Sequence, residues 1–122
     1  MKRLLFFLLL LFFLTGNSKA AFKFADSPWV QYNGIIYKYD KLDHYVISSI
    51  LYQSMCFGGL SYKKSAIYTI SIGILWEVKD GTFPDSRYGM WGGDGFDYKD
   101  LIANITGITA TYLLNRFIRN YW

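Results

Sequence analysis

The chain has 122 residues and a formal net charge of +4, which fits one domain and leaves no room for a second catalytic unit. Lys2, Arg3 and Lys19 lie in the first 20 residues, and without them 10 basic side chains face 9 acidic ones. The near-neutral remainder removes the electrostatic motive for nucleic-acid binding. Cys56 is the single cysteine, so an internal disulfide and a cysteine-based zinc site are both excluded.

Residues 1–20, "MKRLLFFLLLLFFLTGNSKA", have two early basic residues, an unbroken apolar run from Leu4 to Leu14 and the small-x-small triplet Ser18-Lys19-Ala20. This is the pattern of a secretory signal peptide. The alternative is that the apolar run stays attached as an anchor, although it is short for a membrane span. The protein is therefore expected to be exported to the periplasm or cell envelope, as a peripheral or integral membrane protein.

Residues 21–39 have no helical period, and Pro28 and Asn33-Gly34 are turn signals. They are expected to form an extended lead-in with a short hairpin. From residue 40 to residue 122 the pattern becomes helical, and the expected fold class is all-α, a small antiparallel three-helix bundle. The first helix runs from Asp40 to Leu60, with Asp40 and Asp43 as N-terminal acids and Gly58-Gly59 as a stop. Lys63 and Lys64 mark a short turn, and the second helix covers Ser65 to Lys79. Gly81 to Asp97 holds five glycines and a proline and reads as one long loop. The last helix runs from Tyr98 to Arg119, with Asp97 as its N-cap and Asp100 in its first turn.

Antiparallel helices bring the start of the first, the end of the second and the start of the third to one pole. Asp40, Lys41 and His44, then Glu77 and Asp80, then Asp100 and Asn104 are therefore expected to meet. Each pair sits three or four residues apart, on one helix face. Glu77 and Asp80 also stand at a helix C-terminus, where the dipole disfavours carboxylates. Something at that pole is expected to want negative charge or a proton acceptor: His44 as a cation, a metal ion or a substrate. Capping alone would account equally well for Asp40, Asp97 and Asp100. Gly73 and Gly107 continue the stripes inward, where small residues let helices approach. Lys63, Lys64, Arg116 and Arg119 gather at the other pole.

One imidazole with several carboxylates would suit Mg, Mn or Zn, but no spacing forms a recognised metal loop, so no metal or cofactor is expected. No serine stands in a nucleophile motif, and no glycine pattern forms a phosphate loop.

The ordered motifs "DKLDH" at 40–44, "EVKD" at 77–80 and "DGFDYKDLIANITG" at 94–107 resemble the YfiM-like family of putative periplasmic lipoproteins and, more distantly, VanZ-like membrane proteins. The resemblance covers most of the chain after the signal, but there is no cysteine at the cleavage site to carry a lipid. It implies an envelope location and matches Asp40, Lys41, His44, Glu77, Asp80, Asp100, Asn104 and Gly107. It brings no established activity.

Three readings follow. In the first, a membrane-associated envelope protein binds a small polar ligand or partner through Asp40, Lys41, His44, Glu77, Asp80, Asp100 and Asn104. In the second, a hydrolase or transferase acts on a lipid or cell-wall molecule, with His44 as acid or base beside Glu77 or Asp80. In the third, the cluster only locks helix ends together.

Overall fold

The computed structural model describes residues 22–30, 32, 34–36, 38–84 and 92–121. The expected signal segment, Asn33 of the expected turn and the middle of the glycine-rich loop lie outside them. Three helices follow one another: α1 Asp40–Phe57, α2 Tyr62–Thr82 and α3 Tyr98–Tyr121. The all-α three-helix bundle is the observed architecture.

The helix ends differ in detail from expectation. Tyr39 is the N-cap of α1 and makes no side-chain cap bond, so Asp40 is the first helical residue rather than the cap. Its carboxylate still lies, with that of Asp43, where the helix dipole favours negative charge. The helix stops at Phe57, and Gly59 takes φ +89°, a conformation that few other residues adopt.

Ser61 caps α2 by accepting from the Lys64 backbone N–H at 3.4 Å, so Lys63 and Lys64 lie in the first helical turn rather than in a connecting turn. At its far end α2 continues through Gly81 to Thr82, one turn beyond Lys79. Gly81 is buried beneath the ring of Phe22, which would have to shift to admit a side chain there. Asp97 opens α3 as expected, its Oδ1 accepting from the Lys99 N–H at 2.9 Å.

The lead-in does not pair with itself among the described residues. Phe24 forms an isolated parallel bridge with Phe96, fastened by Ala25 N–H to Phe96 O at 2.8 Å and Phe96 N–H to Lys23 O at 2.9 Å. Phe22, Phe24 and Phe96 pack their rings at centroid separations of 5.1 to 5.9 Å. This seam ties the lead-in to the residues just before α3.

α1 and α3 pack most closely of the three. A Cβ on Gly107 would strike the Tyr45 carbonyl and stand 2.9 Å from Ser49 Oγ. Ser49 itself donates to Gly107 O at 3.1 Å. At Gly73 on α2, a Cβ would come within 2.6 Å of Asn104 Nδ2.

The bundle is inverted in polarity. Ser48, Ser65, Thr69, Glu77, Asp97, Asp100 and Asn104 are buried between the helices. Ile50, Ile67, Leu75, Ile102, Leu113 and Phe117 are among many large apolar side chains that stay exposed on the outer faces. Among the described residues, no helix is long and apolar enough to cross a membrane.

Candidate functional site

Chain reversal places the first turn of α1, the last turns of α2 and the first turn of α3 side by side. The centre of the site is Lys41, whose stem runs inward from α1 and whose ammonium is buried. Its Nζ lies 3.0 Å from Asp40 Oδ2 and 2.9 Å from Asp97 Oδ2, and pairs with Asp100 Oδ1. It also donates to Ser27 Oγ at 2.8 Å. Ser27, brought in by the lead-in, donates in turn to Asp97 Oδ2. Burial alone would lower the Lys41 pKa, but the bonds to Asp100, Asp97 and Asp40 outweigh it and raise it.

Asp97 is held on every side. Besides Lys41 and Ser27 it accepts from the Lys99 N–H, and its own N–H donates to Glu77 Oε2 at 2.8 Å. Burial acts to raise its pKa, yet the Ser27 and Lys41 bonds prevail and lower it. At neutral pH Asp97 is thus an anion paired with the Lys41 cation.

His44 stands one turn along α1 and faces three carboxyl groups. Its Nε2 lies 3.5 Å from Asp100 Oδ2, 3.8 Å from Glu77 Oε1 and 3.9 Å from Asp40 Oδ1. Glu77 is fully buried, and its Oε1 has no hydrogen-bond partner. Burial pushes the Glu77 carboxyl up to about 8; the Asp97 N–H opposes the rise, and the neighbouring charges of Asp100, Asp80 and Asp97 add to it. The rise favours the protonated form of this carboxyl near neutral pH. Asp100 is raised to about 6 by burial, against the pull of His44 and Lys41.

Of the seven residues expected at this pole, Asp40, Lys41, His44, Glu77 and Asp100 converge. Asp80 lines the same pocket but pairs with Lys79 and packs against Gly93. Burial raises its pKa, and Lys79 and His44 lower it. Asn104 sits one turn deeper on α3, where its Oδ1 accepts from Ser48 Oγ at 2.6 Å, so it joins α1 to α3 rather than joining the carboxyl group. Asp43 is also buried, and its Oδ2 accepts from the Ile36 N–H at 2.8 Å.

Two participants escape sequence reasoning. Asp97 reads as a helix cap and nothing more, although the same side chain carries the buried ion pair. Ser27 lies in a segment without periodicity, and only the adjacent Pro28 hints that its backbone is fixed.

The pocket over this cluster has a volume of about 430 Å³ and is lined by Asp40, His44, Asp80, Asp97 and Asp100 on one side and by Gly93 and Gly95 on the other. Gly95, at φ +119°, passes close to the Lys23 carbonyl, a path closed to a residue with a side chain. Anionic oxygens and an imidazole on one wall suit a cation or a ligand rich in hydrogen-bond donors. Comparisons with protein-family models, with curated proteins and with solved structures found no match to this chain.

Proposed function

We propose that this chain is a membrane-associated protein of the cell envelope, whose helical bundle lays its apolar flanks against lipid and binds a small polar ligand at its acidic pole. The observation that carries the reading is the inverted polarity of the bundle. In water, exposed Ile, Leu and Phe faces over a Ser, Thr and Asn interior reverse the hydrophobic driving force. Against acyl chains the same arrangement is favourable, because buried hydroxyl and amide groups join the helices by hydrogen bonds while the apolar faces meet hydrocarbon. The exposed residues Ile67, Leu75, Ile102, Leu113 and Phe117 belong to α2 and α3. Contact through these flanks requires no spanning segment.

The apolar N-terminal run with its small-x-small triplet supports export. The order of acidic and histidine motifs fits the resemblance to YfiM-like envelope proteins. Ligand binding is supported by the buried Glu77 oxygen that lacks a partner beneath the pocket.

Flotation with liposomes tests the membrane half of the reading. The purified chain should rise with vesicles of neutral phospholipid and stay with them in alkaline carbonate and in high salt. A monodisperse, detergent-free monomer that remains at the bottom of the gradient would overturn it.

A further inference from the structure

Asp40, Glu77 and Asp100 reach the pole from three different helices, yet their carboxyl groups are disposed alike. Each has one oxygen anchored and the other facing His44 Nε2. Asp40 gives Oδ2 to Lys41 and turns Oδ1 to the imidazole. Asp100 gives Oδ1 to Lys41 and turns Oδ2. Glu77 gives Oε2 to the Asp97 N–H and turns Oε1, which no donor satisfies although the side chain is fully buried.

The separations of 3.5 to 3.9 Å from Nε2 exceed a hydrogen bond, which closes at about 2.7 to 3.2 Å. They fall nearer the spacing of ligands around a shared ion. Donor atoms bonded at about 2.0 to 2.2 Å stand about 3.0 to 3.5 Å from their neighbours in octahedral or tetrahedral geometry. One ligand atom each from Asp40, His44 and Asp100 lies within 4.8 Å of the other two. Glu77 Oε1 is outside that trio but reaches the same nitrogen.

We propose that Asp40, His44 and Asp100 form a binding site for a divalent transition-metal cation, with Glu77 Oε1 hydrogen-bonded to a water on that ion. The charges agree. Three carboxylates, those of Asp40, Asp97 and Asp100, surround a single lysine ammonium, so a divalent ion balances the two negative charges that Lys41 leaves over. Lys41 takes the role of an outer-shell partner, which fixes the rotamers of two liganding carboxylates without occupying their inner oxygens. An imidazole nitrogen among oxygens favours Mn, Fe or Zn over Ca, which takes oxygen ligands throughout.

This inference deepens the ligand-binding half of the proposed function and rests on it. It is testable without any variant, because His44 is the only histidine of the 122 residues. The tag-free full chain in detergent, stripped with chelator and titrated with Mn²⁺, should bind one equivalent per chain. Pulsed EPR of the bound Mn²⁺ should then show coupling to a single imidazole nitrogen. Zn²⁺ should displace the signal, and Asp100→Asn should weaken binding by about tenfold or more with the helical circular dichroism unchanged. His44→Ala should retain helicity and lose the nitrogen coupling.

Should either variant fail to fold, the wild-type spectrum alone decides. Folded wild-type chain that shows no saturable Mn²⁺ or Zn²⁺ binding at millimolar concentration, or bound Mn²⁺ without nitrogen coupling, overturns the proposal. Flotation separates the two failures. A chain that rises with liposomes but takes no cation loses the metal and keeps its membrane reading.

Discussion

The two poles of the bundle are built from the same three helices and are held by different physics. At the acidic pole Lys41, Glu77, Asp97 and Asp100 are buried and bound to one another. At the other pole Arg119 lies over the exposed edge of the structure, 4.9 Å from the Tyr62 ring centre. Tyr62 meets Tyr112 edge-on at 5.7 Å, and Asn115 donates to Gln53 at 2.8 Å. Water reaches this second group, and any one contact can be exchanged for solvent at little cost. The first group has no such recourse, so removing a single member strands the others. Stability should therefore be concentrated at the acidic pole and depend there on charge and pH.

The largest effect tests that concentration directly. Lys41→Met keeps most of the buried stem but removes the ammonium shared by Asp40, Asp97 and Asp100. Breaking a buried ion pair from one side costs about 3 to 5 kcal/mol. The denaturant midpoint of the variant in detergent should fall accordingly, and a loss under about 1 kcal/mol would show that the pole is hydrated and the contrast false.

Next comes pH. Glu77 is raised to about 8 in the folded chain from its ordinary value of 4.5, so the folded state holds an extra proton between these values. Its stabilising contribution is complete below about pH 4.5 and is lost as pH rises through about 8. Asp100, raised from 3.8 to about 6, contributes with the same sign in the lower part of the window. In chelator, the melting temperature should fall from pH 6 to pH 8 by the equivalent of on the order of 2 kcal/mol. Glu77→Gln should flatten the slope across that upper interval. An unchanged slope in the variant would assign the pH dependence elsewhere.

The poles also differ in how far the sequence discloses them. Helical period, the Gly58-Gly59 stop and the acids that open α1 and α3 are local signals, and they are enough to place three helices and reverse them twice. That reversal alone brings Asp40, His44, Glu77 and Asp100 together. The extra turn of α2 is not local. Gly81 reads as the start of the loop, but the Phe22 ring that covers it comes from a distant segment. Ser27 is equally silent, since its partners Lys41 and Asp97 lie 14 and 70 residues away. Nor does a period state which face of a helix is turned inward. Close approaches at Gly73 and Gly107 bring Asn104 and Ser49 between the helices there.

Gly107 allows the comparison to be carried to the middle of the molecule, between the poles. Gly107→Ala places a methyl group against the Tyr45 carbonyl and Ser49 Oγ. The obstacle is backbone, so α1 and α3 must separate, at a cost of about 1 to 2 kcal/mol. A neutral effect on the melting temperature would mean that the two helices are less closely seated than this contact requires.

Arg119→Ala should have the smallest effect, and its smallness is what matters. The guanidinium over Tyr62 lies at an exposed site on the last turns of α3, where a cation–π contact contributes about 0.5 to 1 kcal/mol. The lost charge also complements the C-terminal end of the helix dipole, a further contribution that salt weakens. The variant should therefore unfold within about 1 kcal/mol of wild type, with a difference that shrinks in high salt. A loss as large as that from Lys41→Met would mean that the aromatic pole is as dependent on one cation as the acidic pole, and would place buried structure where the exposed guanidinium and half-buried rings now indicate surface.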